Sequence, residues 1–152
     1  MARLLVTRGL PGSGKSTFAR AWVAENPTGR YRVNRDDLRA MGHDSTHVKA
    51  SKTSLGTERI VVAARNAMIV SLLRRGVGVI VDETCLPDKT LHSLRRLADR
   101  ANAGFEVVDF RDVPIELCIE RDARRTGTAR VGEQAIRDMW ERHLAEQSEA
   151  AA

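Results

Sequence analysis

Apolar positions along the chain follow two alternating rhythms. Residues 3–7 form a short β-friendly run, while in residues 15–25 Phe18, Ala21 and Trp22 recur at helical spacing. Asn26-Pro27-Thr28-Gly29 is a turn cluster. A second strand is expected over residues 31–34 and a short helix over 36–41, followed by a polar stretch to Ser54. Residues 58–74 repeat apolar positions at helical period, and Gly76 is a natural stop. Residues 77–81 read as a buried strand ending at Asp82, 88–101 as a helix, 105–110 as a fourth strand and 115–124 as a helix. Residues 125–132 are irregular and basic, and 133–147 form a last amphipathic helix with a fraying Ala-rich end.

Strands alternating with helices predict βα units, a parallel sheet and helices on both of its faces. No repeat or linker interrupts the 152 residues, so one domain spanning 1–152 is expected. Hydrophobic content of 42% and charged content of 30% predict a globular chain with a real core. No apolar run is long enough to cross a bilayer, so no membrane partner is expected. The start of the chain is too short for a signal-peptide core, and Cys85 and Cys118 suit a reducing compartment; a cytoplasmic location follows. The net charge of +5, mostly arginine, fits a phosphate-rich partner and fits ordinary solubility equally well.

Candidate chemistry begins directly after the first strand. Gly9-Leu10-Pro11-Gly12-Ser13-Gly14-Lys15-Ser16-Thr17 matches G-x-x-x-x-G-K-[ST] in full, with a strand before it and a helix after. In such a loop, backbone N–H groups turn inward around phosphates, and the helix N-terminus adds positive potential. Lys15 is expected at the β- and γ-phosphates of ATP or another NTP, and Ser16 at Mg²⁺. Gly9, Pro11, Gly12, Ser13, Gly14 and Thr17 complete the nucleotide cradle. Switch GTPases and motor ATPases share this loop, but the chain lacks an Asn-Lys-x-Asp guanine-reading motif and is short for a motor. A small kinase fits best.

After the second strand comes Asn34-Arg35-Asp36-Asp37-Leu38-Arg39. A sugar hydroxyl is a poor nucleophile at neutral pH, and a carboxylate that orients it and accepts its proton contributes roughly 10²- to 10⁴-fold. This loop opens at the same sheet edge as the phosphate loop, which brings Asp36 near the γ-phosphate. A structural alternative stands beside this: Asp36 or Asp37 caps a short helix and Arg39 pairs with one of them. The third strand ends in Asp82, as a Walker-B-like position requires, and Glu83 competes with it for the metal role. A cap on the following helix is the alternative for Asp82.

The G-x-P-G-S-G-K-S-T loop, the N-R-D-D-x-R segment, the Asp82-Glu83-Thr84-Cys85 strand end and an arginine-bearing segment after Val113-Pro114 occur in the order found in phage-type polynucleotide 5′-kinases. The chain resembles the kinase domain of that end-healing family over nearly its whole length. The resemblance implies an α/β P-loop kinase fold with a four-stranded parallel sheet, order 2-3-1-4, and an arginine-bearing lid. It implies transfer of the γ-phosphate of ATP-Mg²⁺ to the 5′-OH of DNA or RNA, a nucleic acid repair activity. By position, Asp36 matches the general base, Arg39 the clamp on the acceptor's neighbouring phosphate, and Arg121 and Arg125 the lid arginines that reach over the phosphates. Cys85 departs from the family's usual Asn. Arg124 and Arg130 have no assigned part. A basic helix face neutralised by Glu116 and Glu120 is the alternative for the lid arginines.

Two rival functions remain: a kinase for a small-molecule hydroxyl, and a non-catalytic nucleotide-binding module. Arg39 favours the polynucleotide, because a phosphate clamp beside the base has no use with an uncharged acceptor. His43 and His47 stand at i, i+4 but lack a third ligand, so no zinc site is expected there. Trp22, Trp140 and Cys118 fall on apolar faces and are expected in the core. Oligomeric state is not legible.

Overall fold

A computed structural model describes residues 1–43 and 52–146. Its elements are β1 (Arg3–Arg8), α1 (Lys15–Ala24), β2 (Arg30–Val33), α2 (Arg35–His43), α3 (Lys52–Arg74), β3 (Gly78–Val81), α4 (Asp88–Arg100), β4 (Gly104–Asp109), α5 (Ile115–Ala123), a 3₁₀ turn (Gly127–Ala129) and α6 (Glu133–His143). The strands form one sheet of order β2-β3-β1-β4, as expected, and every pairing is parallel. Leu4, Leu5 and Val6 pair with Val79, Ile80 and Val81, so the two central strands are apolar on both faces.

Side-chain alternation along these strands divides the core. Leu4, Val6, Val33, Val79 and Val81 pack with Ile69 and Leu73 of α3 and Leu94, Leu97 and Ala98 of α4. Leu5 and Ile80 point the other way and pack on Ala19, Phe18 and Trp22 of α1. A third cluster joins Leu10 of the phosphate loop to Leu86, Cys118 of α5 and Ile136 of α6, with Trp140 against it. The expected core positions of both tryptophans and Cys118 are therefore observed.

The expected elements are present, with ends shifted by a few residues. The largest difference is at α3, which begins at Lys52 rather than residue 58. Its first turns are polar and contain Gly56, so no apolar period announces them. His43 ends α2, whereas His47 lies outside the described residues. Among the described residues, no helix is long and apolar enough to cross a membrane.

Candidate active site

The phosphate loop is held from below by backbone contacts. Gly9 N–H donates to the Thr84 carbonyl at 2.9 Å, tying the end of β1 to the segment after β3. Gly12 adopts φ 82°, and a Cβ there would stand 2.3 Å from the Cys118 carbonyl oxygen, so only glycine lets the loop rest on α5. Gly14, at φ 101°, turns the chain into α1. Lys15 lies back across the loop, its Nζ donating to the Leu10 carbonyl at 2.5 Å and to Ser13 Oγ at 3.3 Å. Burial pushes the Lys15 pKa down to about 8, with the Asp82 carboxylate opposing part of that shift.

One helical position on, the Ser16 hydroxyl donates to Asp82 Oδ1 at 3.1 Å. Asp82 is 2% exposed, and its other oxygen accepts from Arg32 Nε at 2.7 Å. A hydroxyl beside one carboxylate suits Mg²⁺, which is commonly held by one or two carboxylates while substrate phosphates and water fill the other positions. Among the described residues no cluster of three His, Cys, Asp or Glu forms a self-sufficient metal cage. Glu83 is differently engaged: its Oε2 accepts from Arg35 Nε and Arg65 Nη1, both at 2.8 Å, and it makes no hydrogen bond to Ser16. Its Oε1 is buried without a hydrogen-bond partner.

The candidate acceptor side is built on α2. Asn34 is its cap: Oδ1 accepts from the N–H groups of Asp36 at 2.8 Å and Asp37 at 3.2 Å. Neither aspartate is the cap that the structural alternative proposed, although that alternative's ion pair exists, Arg39 Nη1 donating to Asp36 Oδ1 at 2.5 Å. Asp37 is taken by Arg32 at 2.5 Å. Arg39 also forms a two-point contact with Glu58 of α3, through Nε at 2.8 Å and Nη2 at 2.7 Å.

The lid segment follows α5. Asp122, 1% exposed, accepts the Val131 N–H at 3.1 Å and the Gly132 N–H at 2.8 Å, closing residues 123–132 into a loop. Arg125 donates to the same carboxylate at 3.4 Å. Arg121 instead reaches the Gly12 carbonyl, at 3.4 Å. Arg124 pairs with Glu120, and Arg137 with Glu116.

These parts meet in an open cavity of about 560 Å³. Lys15, Ser16, Asp36, Arg39, Asp82 and Arg125 all line it, as do Pro11, Gly12 and Gly14. Gly9, Ser13, Thr17 and Arg121 do not line it; Ser13 accepts from Lys15 within the loop, and Arg121 donates to the loop's Gly12 carbonyl. The residues that sequence reasoning missed are Arg32, Glu58, Arg65 and Asp122. Arg65 had a signal, because it interrupts the apolar stripe Val61, Ile69, Leu73. Asp122 had a weaker one, an acid three residues before Arg125. Glu58 had none, standing 19 positions from Arg39.

Residues 4–149 match the model of a family described as an AAA domain. The chain is 25% identical over 150 residues to a protein of Autographa californica nuclear polyhedrosis virus named as a bifunctional polynucleotide kinase/RNA ligase, covering 93% of this chain and 21% of that protein. It is similar to a chain in a structure of the Pnkp1/Rnl/Hen1 RNA repair complex, with a TM-score of 0.74 and 27% identity over 97% of this chain and 46% of that one. The Mycobacterium tuberculosis APS kinase CysC, solved with AMPPNP and APS, shares the fold at a TM-score of 0.54 and 22% identity, over 81% of this chain and 69% of that one. The chain thus spans about a fifth of the viral relative and under half of the chain from the repair complex.

Proposed function

The chain belongs to the AAA-domain family, as a P-loop domain of polynucleotide-kinase type, and on that premise we propose that it is a polynucleotide 5′-hydroxyl kinase working as one module over residues 1–152. The observation that supports this reading most is the shared cavity, in which a phosphate loop, a lid arginine and an Asp–Arg pair on α2 face one another.

In this mechanism the loop N–H groups and Lys15 hold the β- and γ-phosphates of ATP. Ser16 and Asp82 hold Mg²⁺, which when bound neutralises charge on the phosphate oxygens. Asp36 orients the acceptor's 5′-OH and accepts its proton as the hydroxyl oxygen bonds to the γ-phosphorus. The bond from that phosphorus to the β-γ bridging oxygen breaks, ADP leaves, and the acceptor carries a 5′-phosphate. Arg125 stabilises the charge that develops on the transferring group. Arg39, already paired with Asp36, binds the phosphodiester next to the reacting end; a guanidinium suits both tasks.

Transfer from γ-labelled ATP to 5′-OH DNA and RNA oligonucleotides, beside a panel of sugars, nucleosides and adenylyl sulfate, tests the reading. Labelled 5′ ends on oligonucleotides are the expected result. Label on a small acceptor alone would move the activity to the small-molecule kinases, and ATP binding with no transfer to any acceptor would leave a nucleotide-binding module.

A further inference from the structure

A guanidinium has five N–H donors in a fixed plane. In Arg39 three are engaged: Nε and Nη2 with the two oxygens of Glu58, and Nη1 with Asp36 Oδ1. Glu58 therefore grips the side edge of the group, and one N–H on each terminal nitrogen stays uncommitted to these two carboxylates. The same Glu58 carboxylate accepts from Arg35 Nη1 at 2.7 Å. Arg35 and Arg39 stand four residues apart on α2 and flank Asp36. Helix α2 buries none of its residues, so apolar packing alone does not fix its side chains. Burial would raise the Glu58 pKa, but bonds and charges from Arg39 and Arg35 outweigh it and keep the carboxyl below its ordinary range, hence ionised at neutral pH.

We propose that Glu58 is a positioning residue for the acceptor: by gripping Arg39 along its side edge, it aims the free end of the guanidinium at the phosphate next to the reacting hydroxyl. The inference rests on the reading of Arg39 as a phosphate clamp. It makes the preference for a phosphate-bearing acceptor depend on a side chain that touches neither substrate. It also separates Glu58 from a second possible role, a carboxylate that occupies the clamp and must be displaced before phosphate enters.

The test compares two acceptors in the full chain with ATP: a nucleoside 3′-monophosphate and the same nucleoside without phosphate, both with a free 5′-OH. Glu58→Ala is expected to raise KM for the phosphorylated acceptor about ten- to hundredfold, the equivalent of one charge-assisted hydrogen bond. KM for ATP and for the bare nucleoside should stay within about twofold of wild type. Glu58→Asp should recover part of the loss. Glu58→Gln, of the same shape, gives the same comparison if the alanine variant fails to fold. In an Arg39→Ala background, removing Glu58 should add nothing.

A lowered KM in Glu58→Ala would identify a blocking carboxylate and overturn the proposal. So would an equal rise for both acceptors, or additive effects of the two substitutions. If wild type prefers the phosphorylated acceptor and Glu58→Ala keeps that preference, the positioning role alone falls. If wild type shows no such preference, the clamp reading of Arg39 falls and takes the positioning role with it.

Discussion

The proposed donor and acceptor halves of the cavity are held in different ways. On the donor side the functional groups are mostly backbone, fixed by the sheet: Gly9 is bonded to Thr84, Gly12 rests on Cys118, and Lys15 is folded onto Leu10. On the acceptor side they are side chains on an unburied helix, held by ion pairs to the neighbouring α3. Backbone placed by a parallel sheet has few alternative positions. Arginines and carboxylates have many, so the acceptor half depends on each charge being present. Substitutions on the donor side should therefore change catalysis or stability outright, whereas those on the acceptor side should separate the two substrates.

The largest effect is expected at the lid. Arg125→Ala should lower kcat by about 10³-fold or more, the range for an arginine acting on a transferring phosphoryl group. Rapid-quench measurement of a single turnover checks this, and a loss below about tenfold would remove Arg125 from the chemistry. Asp36→Ala comes next, with transfer reduced roughly 10²- to 10⁴-fold and nucleotide affinity nearly intact. Filter assays for transfer beside calorimetric titration of ATP show whether the two properties separate.

Lys15 gives a pH signature confined to the donor half. Its pKa of about 8 in the free protein means that the ammonium loses its proton above that pH. Bound phosphate favours the charged form, so ATP affinity should fall about tenfold per pH unit above about 8, and binding near pH 9 should take up a proton. For stability the sign is opposite. The unfolded chain keeps the proton up to about 10.5, so the ligand-free protein should gain stability as pH rises from about 8 to 10.5. Titration calorimetry in buffers of different ionisation enthalpy measures the uptake, and an affinity unchanged between pH 7 and 9.5 would contradict it.

The smallest effect on turnover, and the clearest on stability, is expected at Asp122. Its removal takes a buried carboxylate acceptor from the part-buried Val131 and Gly132 N–H groups. A cost of about 3 kcal/mol corresponds to a Tm lower by about 6–12 °C for a domain of this size. Thermal melts of Asp122→Ala and Asp122→Asn check this, with the asparagine variant losing less because its amide oxygen still accepts.

The same division explains what was legible in the sequence. The donor half is written in consecutive residues: strand, glycine loop, Lys15-Ser16, helix. The third strand announced Asp82 by its apolar run, although only the contact with Ser16 separates Asp82 from Glu83. The sheet order 2-3-1-4 was implied by the family resemblance and is the order observed. The acceptor half joins residues far apart in sequence, Arg39 with Glu58 and Arg35 and Arg65 with Glu83, and no local period marks such pairs. Cys85 is a further case. It replaces the family's usual Asn at φ 44°, where Asn is well tolerated, and it is buried against the core on the α3 and α4 side. Its thiol is pushed up to about 12 by burial and the charge of Glu83, so it stays protonated.

In the proposed kinase, Asp36 and the γ-phosphate address the same hydroxyl. A crystal structure with a non-hydrolysable ATP analogue, Mg²⁺ and a 5′-OH dinucleotide measures it directly. The 5′-oxygen is expected within roughly 2.6–3.2 Å of an Asp36 carboxylate oxygen and in line with the γ-phosphorus, with Arg39 on the adjoining phosphate. A dinucleotide bound with its 5′-oxygen out of reach of Asp36, or with its phosphate away from Arg39, would contradict it.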